Sequence, residues 1–138
     1  MPTQLLSRSC TTGWADWVWG DLWLRPDALV RVARGWDATR AAAKARRQRG
    51  GGSTVDLDMP VPSEAELRDR TAATARSRWI ALDDIEQARL RTGLTTSRLA
   101  VVMRDGERMK LLWLKDDPAH DVLQGVLELR LGARLRLR

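Results

Sequence analysis

The chain is 138 residues long, 43% hydrophobic and 30% charged, the size and make-up of one domain around a single core. One Cys and one His exclude an internal disulfide and a metal site built on several soft ligands, and the absence of a run of about eighteen apolar residues argues against a transmembrane helix. A formal net charge of +6 raises anionic partners, yet 21 arginines against 3 lysines also fit the coding bias of a GC-rich genome, so the placement of charge carries more weight than its sum.

The opening stretch MPTQLLSRSCTTG lacks the basic start and apolar run of a signal peptide, so a cytoplasmic protein is expected. Cys10 is expected to be an ordinary thiol near a loose terminus.

Residues 13–35 predict an opening hairpin. WVWGDLWL supplies the first strand, Pro26 and Asp27 suit the middle of a tight turn, and Leu29, Val30 and Val32 continue as the second strand. Arg31 and Arg34 are expected on its wetted face. A strand from Trp17 to Leu24 puts Trp17, Trp19 and Trp23 on one side and Val18, Leu22 and Leu24 on the other, unless a bulge at Gly20 shifts the parity.

Residues 36–78 read as an inserted helical segment. DATRAAAKARRQR is rich in helix formers behind Asp37 as N-cap, and Gly50 to Gly52 end it. STVDLDM reads as a short strand. Ser63 and Glu66 then have capping-box spacing at the head of a second helix, and both helices are expected outside the core.

Residues 79–115 supply the late strands, two short ones around Asp83 and Asp84 and then a hairpin. Leu99, Val101 and Met103 alternate before Asp105-Gly106, and Met109, Leu111 and Trp113 alternate after it. Residues 117–132 change period to about 3.6. Asp117 suits the N-cap, Pro118 the first helical position and Gly132 the stop, with Val122, Leu123, Val126, Leu127 and Leu131 on one apolar face. The predicted fold class is α+β, a small antiparallel roll or barrel closed by one C-terminal amphipathic helix.

This order resembles the bacterial-type GRAM branch of the pleckstrin-homology-like (PH-like) superfold, with a helical insertion. The segments that carry the resemblance are GDLWLRPDALVRV, WIALDDI, RLAVVMRDGERMKLLWL and DPAHDVLQGVL. The resemblance implies a PH-like lipid-binding or protein-binding module rather than an enzyme. Val32 or Arg34 stands where the family places an aromatic at the end of the second strand, and the insertion is longer than the usual connection.

Residues with chemical potential are sparse. His120, beside Asp121, reads as an exposed helix residue, and no Cys-His or Ser-His constellation has sequence support. Asp56 and Asp58, and the cluster of Asp116, Asp117 and Asp121, suit strand edges and helix starts. They also define the enzyme alternative, an unrecognised carboxylate or metal site. The triple glycine lacks the Lys-Ser or Lys-Thr of a phosphate loop, and no cofactor is expected.

Two surfaces remain. Arg40, Lys44 and Arg47 share a helix face with Arg46 and Arg49 close by and no acid among them, a strip suited to an anionic membrane surface. No aromatic lies among them to stack a base, which sets nucleic acid aside. The other surface is Trp14, Trp17, Trp19 and Trp23, covered by the insertion or presented to a protein partner, most simply a second copy of the chain. The expected function is therefore a non-enzymatic interaction module, a protein adaptor or self-assembling scaffold subunit that uses the Trp-rich stretch. Peripheral binding to an anionic membrane through Arg40 to Arg49 is its alternative.

Overall fold

The structure of the chain, a computed structural model, describes residues 2–13, 15–56 and 58–137. In chain order the elements are β1 (Gln4–Cys10), β2 (Gly20–Leu24), β3 (Ala28–Ala33), α1 (Trp36–Gln48), α2 (Glu64–Ala73), β4 (Arg78–Ala81), β5 (Ile85–Thr92), β6 (Thr96–Met103), β7 (Arg108–Leu114), α3 (Ala119–Leu131) and β8 (Leu135–Arg136). They form two four-stranded sheets, β1-β2-β3-β4 and β7-β6-β5-β8, with every pairing antiparallel except β5 with β8.

The expected α+β class holds, but the sheets do not close into a barrel. They meet at one corner, where Thr11 and Leu112 exchange backbone hydrogen bonds of 2.8 and 2.9 Å and the Leu114 N–H donates to Ser9 Oγ at 3.0 Å. Local chemistry explains both predicted hairpins. Arg25 N–H bonds the Ala28 carbonyl at 2.8 Å around Pro26 and Asp27. Gly106 takes φ 90°, a conformation that costs glycine nothing, at the tip of β6–β7.

The main core lies between the inner sheet faces and α3, which buries Ala119, Leu123, Leu127 and Leu131 against Leu6, Leu22, Leu90, Leu99 and Leu111. Each leucine side chain fully removed from water contributes roughly 1.5 to 3 kcal/mol. A smaller cluster covers the other face of the first sheet, where Leu67 of α2 packs with Trp23, Ala28, Val30 and Val32. The insertion thus covers the back of the first sheet, and β2 is buried along its whole length.

Several expectations change. The terminus is not loose, because residues 4–10 form β1 and Cys10 is fully buried, its thiol pushed up to about 12 chiefly by burial. The strand was hidden because Ser7 and Ser9 are also buried and pair with Asp117 rather than with water. STVDLDM forms no strand over its described residues, and Leu57 lies outside them. Instead Thr54 Oγ1 accepts the Arg8 N–H at 2.8 Å and blunts the free edge of β1 with a side chain.

Helix starts also shift. Gly35 is the N-cap of α1 and Asp37 lies in its first turn, accepting from Arg40, while Pro118 is the N-cap of α3. The capping box of α2 forms as expected, with Ser63 Oγ accepting the Glu66 N–H at 3.1 Å.

Candidate functional site

Strand β2 begins only at Gly20, so Trp17 and Trp19 lie in the β1–β2 connection and do not share a strand face with Trp23. At that first residue only glycine fits. A Cβ at Gly20 would sit 2.5 Å from Arg31 Nε and 2.7 Å from the Val32 carbonyl, because the Arg31 guanidinium lies across that position. Arg31, expected on a wetted face, is fully buried.

Its charge is satisfied from every side. Arg31 Nη2 lies 3.1 Å from Asp16 Oδ2 and donates to the carbonyls of Cys10 and Val18 at 3.0 and 2.6 Å, while Nη1 reaches the Arg76 carbonyl at 2.8 Å. Arg76 holds that carbonyl in place with a left-handed backbone, φ 65°, uncommon for a residue with a side chain.

Asp16 in turn organises the connection. It accepts from Thr12 N–H and Oγ1 at 3.0 and 2.9 Å and from Val18 N–H at 3.1 Å. Burial alone would raise its carboxyl, but these hydrogen bonds and the Arg31 guanidinium outweigh burial and hold it below the usual carboxylate range. Trp19 is pinned by its backbone, its N–H to Thr39 Oγ1 of α1 at 2.9 Å and its carbonyl to Arg34 N–H at 3.0 Å.

This scaffold holds a pocket of about 310 Å³ whose wall includes Trp17, Trp19, Leu112, Trp113 and Leu114, with Asp16 at one side. Trp17 is 71% exposed, whereas Trp23 and Trp113 are both 1% exposed. Trp113 Nε1 is out of water and has no partner among the described residues. Of the four tryptophans singled out in the sequence, the structure brings Trp17 and Trp19 together and sends Trp23 into the core under α2, while Trp14 lies outside the described residues. Sequence reasoning missed that β7 forms the opposite wall, because the pairing of Thr11 with Leu112 spans most of the chain.

The basic strip of α1 is partly engaged and does have acidic neighbours. Arg40 pairs with Asp37 at 3.2 Å, and Arg46 pairs with Asp116 at 2.8 Å while donating to the Gly52 carbonyl. Arg49 donates to the Ser53 carbonyl, and Lys44 and Arg47 are exposed.

The carboxylates of the enzyme alternative go separate ways. Asp56 accepts from the Asp58 N–H in a turn, and Asp121 is exposed at the start of α3. Asp117 is buried and accepts from Ser7 Oγ, Ser9 Oγ, Ser53 Oγ, Thr54 N–H and Thr54 Oγ1 at 2.5 to 3.2 Å, latching β1 and residues 53–54 to the start of α3. His120 is half-buried rather than exposed, with Nδ1 out of water and without a partner among the described residues. No three His, Cys, Asp or Glu side chains converge on a metal position among the described residues. Among the same residues no helix is long and apolar enough to cross a membrane.

No family model matches this chain, and no curated protein matches it.

Proposed function

We propose that the chain is a non-enzymatic interaction module of PH-like build that docks a protein partner, in the simplest case a second copy of itself, at the Trp17–Trp19 pocket. The observation that carries this reading is Trp17. A chain that buries Trp23 and Trp113 almost completely leaves Trp17 71% in water, on a connection made rigid by the Asp16–Arg31 pair and beside an apolar cleft. An aromatic held rigidly over a pocket loses little entropy on binding and is the usual anchor of an interface. The PH-like part of the reading is supported by four strands, then three, then an amphipathic closing helix. The parallel strand β8 and the open corner are its departures.

Light scattering over a range of concentrations, at low and high salt, tests it. A dimer that persists in high salt and dissociates with Trp17→Ala is the expected result. A monomer at every concentration, with Trp17 freely quenched by acrylamide, overturns the self-docking form.

A second reading, peripheral binding to an anionic membrane from the cytoplasm, rests on Arg40, Lys44 and Arg47, which stay exposed on one face of α1. Electrostatic attraction dominates that face, and Trp36 at the start of α1, 49% exposed with the Arg40 guanidinium 5.9 Å from its ring centre, adds an interfacial aromatic to it. Loss of sedimentation with phosphatidylglycerol vesicles on charge reversal at these three positions is its signature.

A further inference from the structure

The outer face of the second sheet carries a concentration of positive charge that no single strand reveals. Leu90, Leu99 and Leu111 point into the core, so their alternating neighbours point out. Register sets those neighbours in rows. Arg136, Arg89, Ala100 and Lys110 form one row across β8, β5, β6 and β7. Arg91 stands opposite Arg98 on one side of it, and Gln87, Val102 and Arg108 form the row on the other.

The arrangement is self-repelling. Side chains directly opposite on adjacent strands have Cβ atoms about 5 Å apart, and like charges there destabilise the sheet. Arg91 faces Arg98, and Arg89 faces Arg136. Among the described residues none of the six cations makes an ion pair, although Arg8, Arg25, Arg31, Arg34, Arg40, Arg46, Arg68, Arg70, Arg76 and Arg130 all do. Glu86 near the start of β5, and Asp105 and Glu107 in the β6–β7 turn, do not line the groove.

The groove on this face measures about 390 Å³. Small residues, Ala100 and Val102, make its floor, Arg89 and Arg136 stand on one side, Arg108 and Lys110 on the other, and Arg98 at one end. The flanking strands are two spacings apart, roughly 10 Å, a gap that long basic side chains close by leaning over the small floor.

We infer that this trough binds a compact anion carrying two or more adjacent phosphate groups, taken either as a soluble oligophosphate or as neighbouring lipid headgroups. A single phosphate in the trough leaves cations on one flank unmatched, whereas a chain of phosphates meets both flanks and supplies the counter-charge that the sheet lacks. Arginine forks suit such oxygens. The lining has no aromatic on which a base could stack, so recognition is of phosphate alone. The trough runs along the same outer sheet face whose far end, at Thr96, Leu112 and Leu114, lines the Trp17 pocket, but the two share no lining residue and the inference does not rest on docking at that pocket.

Titration calorimetry of the full chain with inorganic tripolyphosphate at low salt is the test, with orthophosphate as the comparison. Saturable one-to-one binding, at least tenfold tighter for tripolyphosphate and weakened at least tenfold by Arg89→Ala with Lys110→Ala, is expected. Lys44→Ala with Arg47→Ala on α1 serves as a control of equal charge and should change it less than twofold. Absence of binding, or equal weakening by both pairs, overturns the proposal in favour of diffuse attraction. Phosphatidylglycerol vesicles separate the sources. Vesicle binding lost in the sheet pair and competed by tripolyphosphate assigns headgroups, and tripolyphosphate binding without vesicle binding assigns a soluble ligand. Circular dichroism confirms that the variants fold, and tripolyphosphate should raise the Tm of the parent chain but not of the sheet pair.

Discussion

Arg31 Nη2 and Asp16 Oδ2 lie 3.1 Å apart with side chains 0% and 3% exposed, a buried ion pair that joins β3 to the connection bearing Trp17 and Trp19. Removing one partner of such a pair strands the other charge, at a cost of about 3 to 5 kcal/mol. Asp16→Ala is therefore expected to lower stability by that order in urea unfolding. Arg31→Lys is not expected to rescue Arg31→Ala, because an ammonium cannot reach Asp16 and three backbone carbonyls together.

The same pair predicts an acid-sensitive fold. The Asp16 carboxyl is held below its ordinary value of 3.8 in the folded chain. A depressed folded value means the stabilisation is fully present above that ordinary value and is lost as pH falls through the folded one. The urea midpoint should fall as pH drops from about 5 to below 3, and Asp16→Asn should flatten that part of the profile.

Gly20→Ala tests the close approach of Arg31 and the Val32 carbonyl to the start of β2. The added methyl meets the Val32 carbonyl at 2.7 Å, and backbone cannot step aside as a side-chain tip can. A loss of about 1 to 3 kcal/mol is expected. It should be accompanied by altered Trp emission, since Trp17 and Trp19 lead directly into that strand.

Trp17 and Trp23 should respond in opposite ways. Trp23→Ala empties the cluster beneath Leu67 and should cost about 3 to 5 kcal/mol of stability. Trp17→Ala, at a position 71% exposed, should change stability by no more than about 0.5 kcal/mol while abolishing pocket binding.

Cys10 should be inert in the folded chain. Burial pushes its thiol up from 9.0 to about 12, so iodoacetamide at pH 8 should react slowly with the native protein and rapidly in urea. Because the folded value is raised, the associated stability is present below 9.0 and fades between 9.0 and about 12.

Local signals in the sequence determined much of this protein. Pro26-Asp27 and Asp105-Gly106 specify their turns within four residues, Ser63 and Glu66 close a capping box within one helical turn, and the apolar period of residues 122–131 orients α3. The relevant physics there acts over a few residues, so neighbouring letters suffice. Tertiary structure alone decided the rest. Arg31 was expected on a wetted face and Asp117 at a helix cap, and both, like the polar Ser7, Ser9 and Asp16, are buried because a partner remote in sequence meets their polar atoms. The Trp17 pocket needs β7 as its far wall, and the basic trough needs the register of four strands to gather arginines that look scattered along the chain. Burial of a polar group and summation of charge depend on distance in space, which sequence spacing reports only within an element.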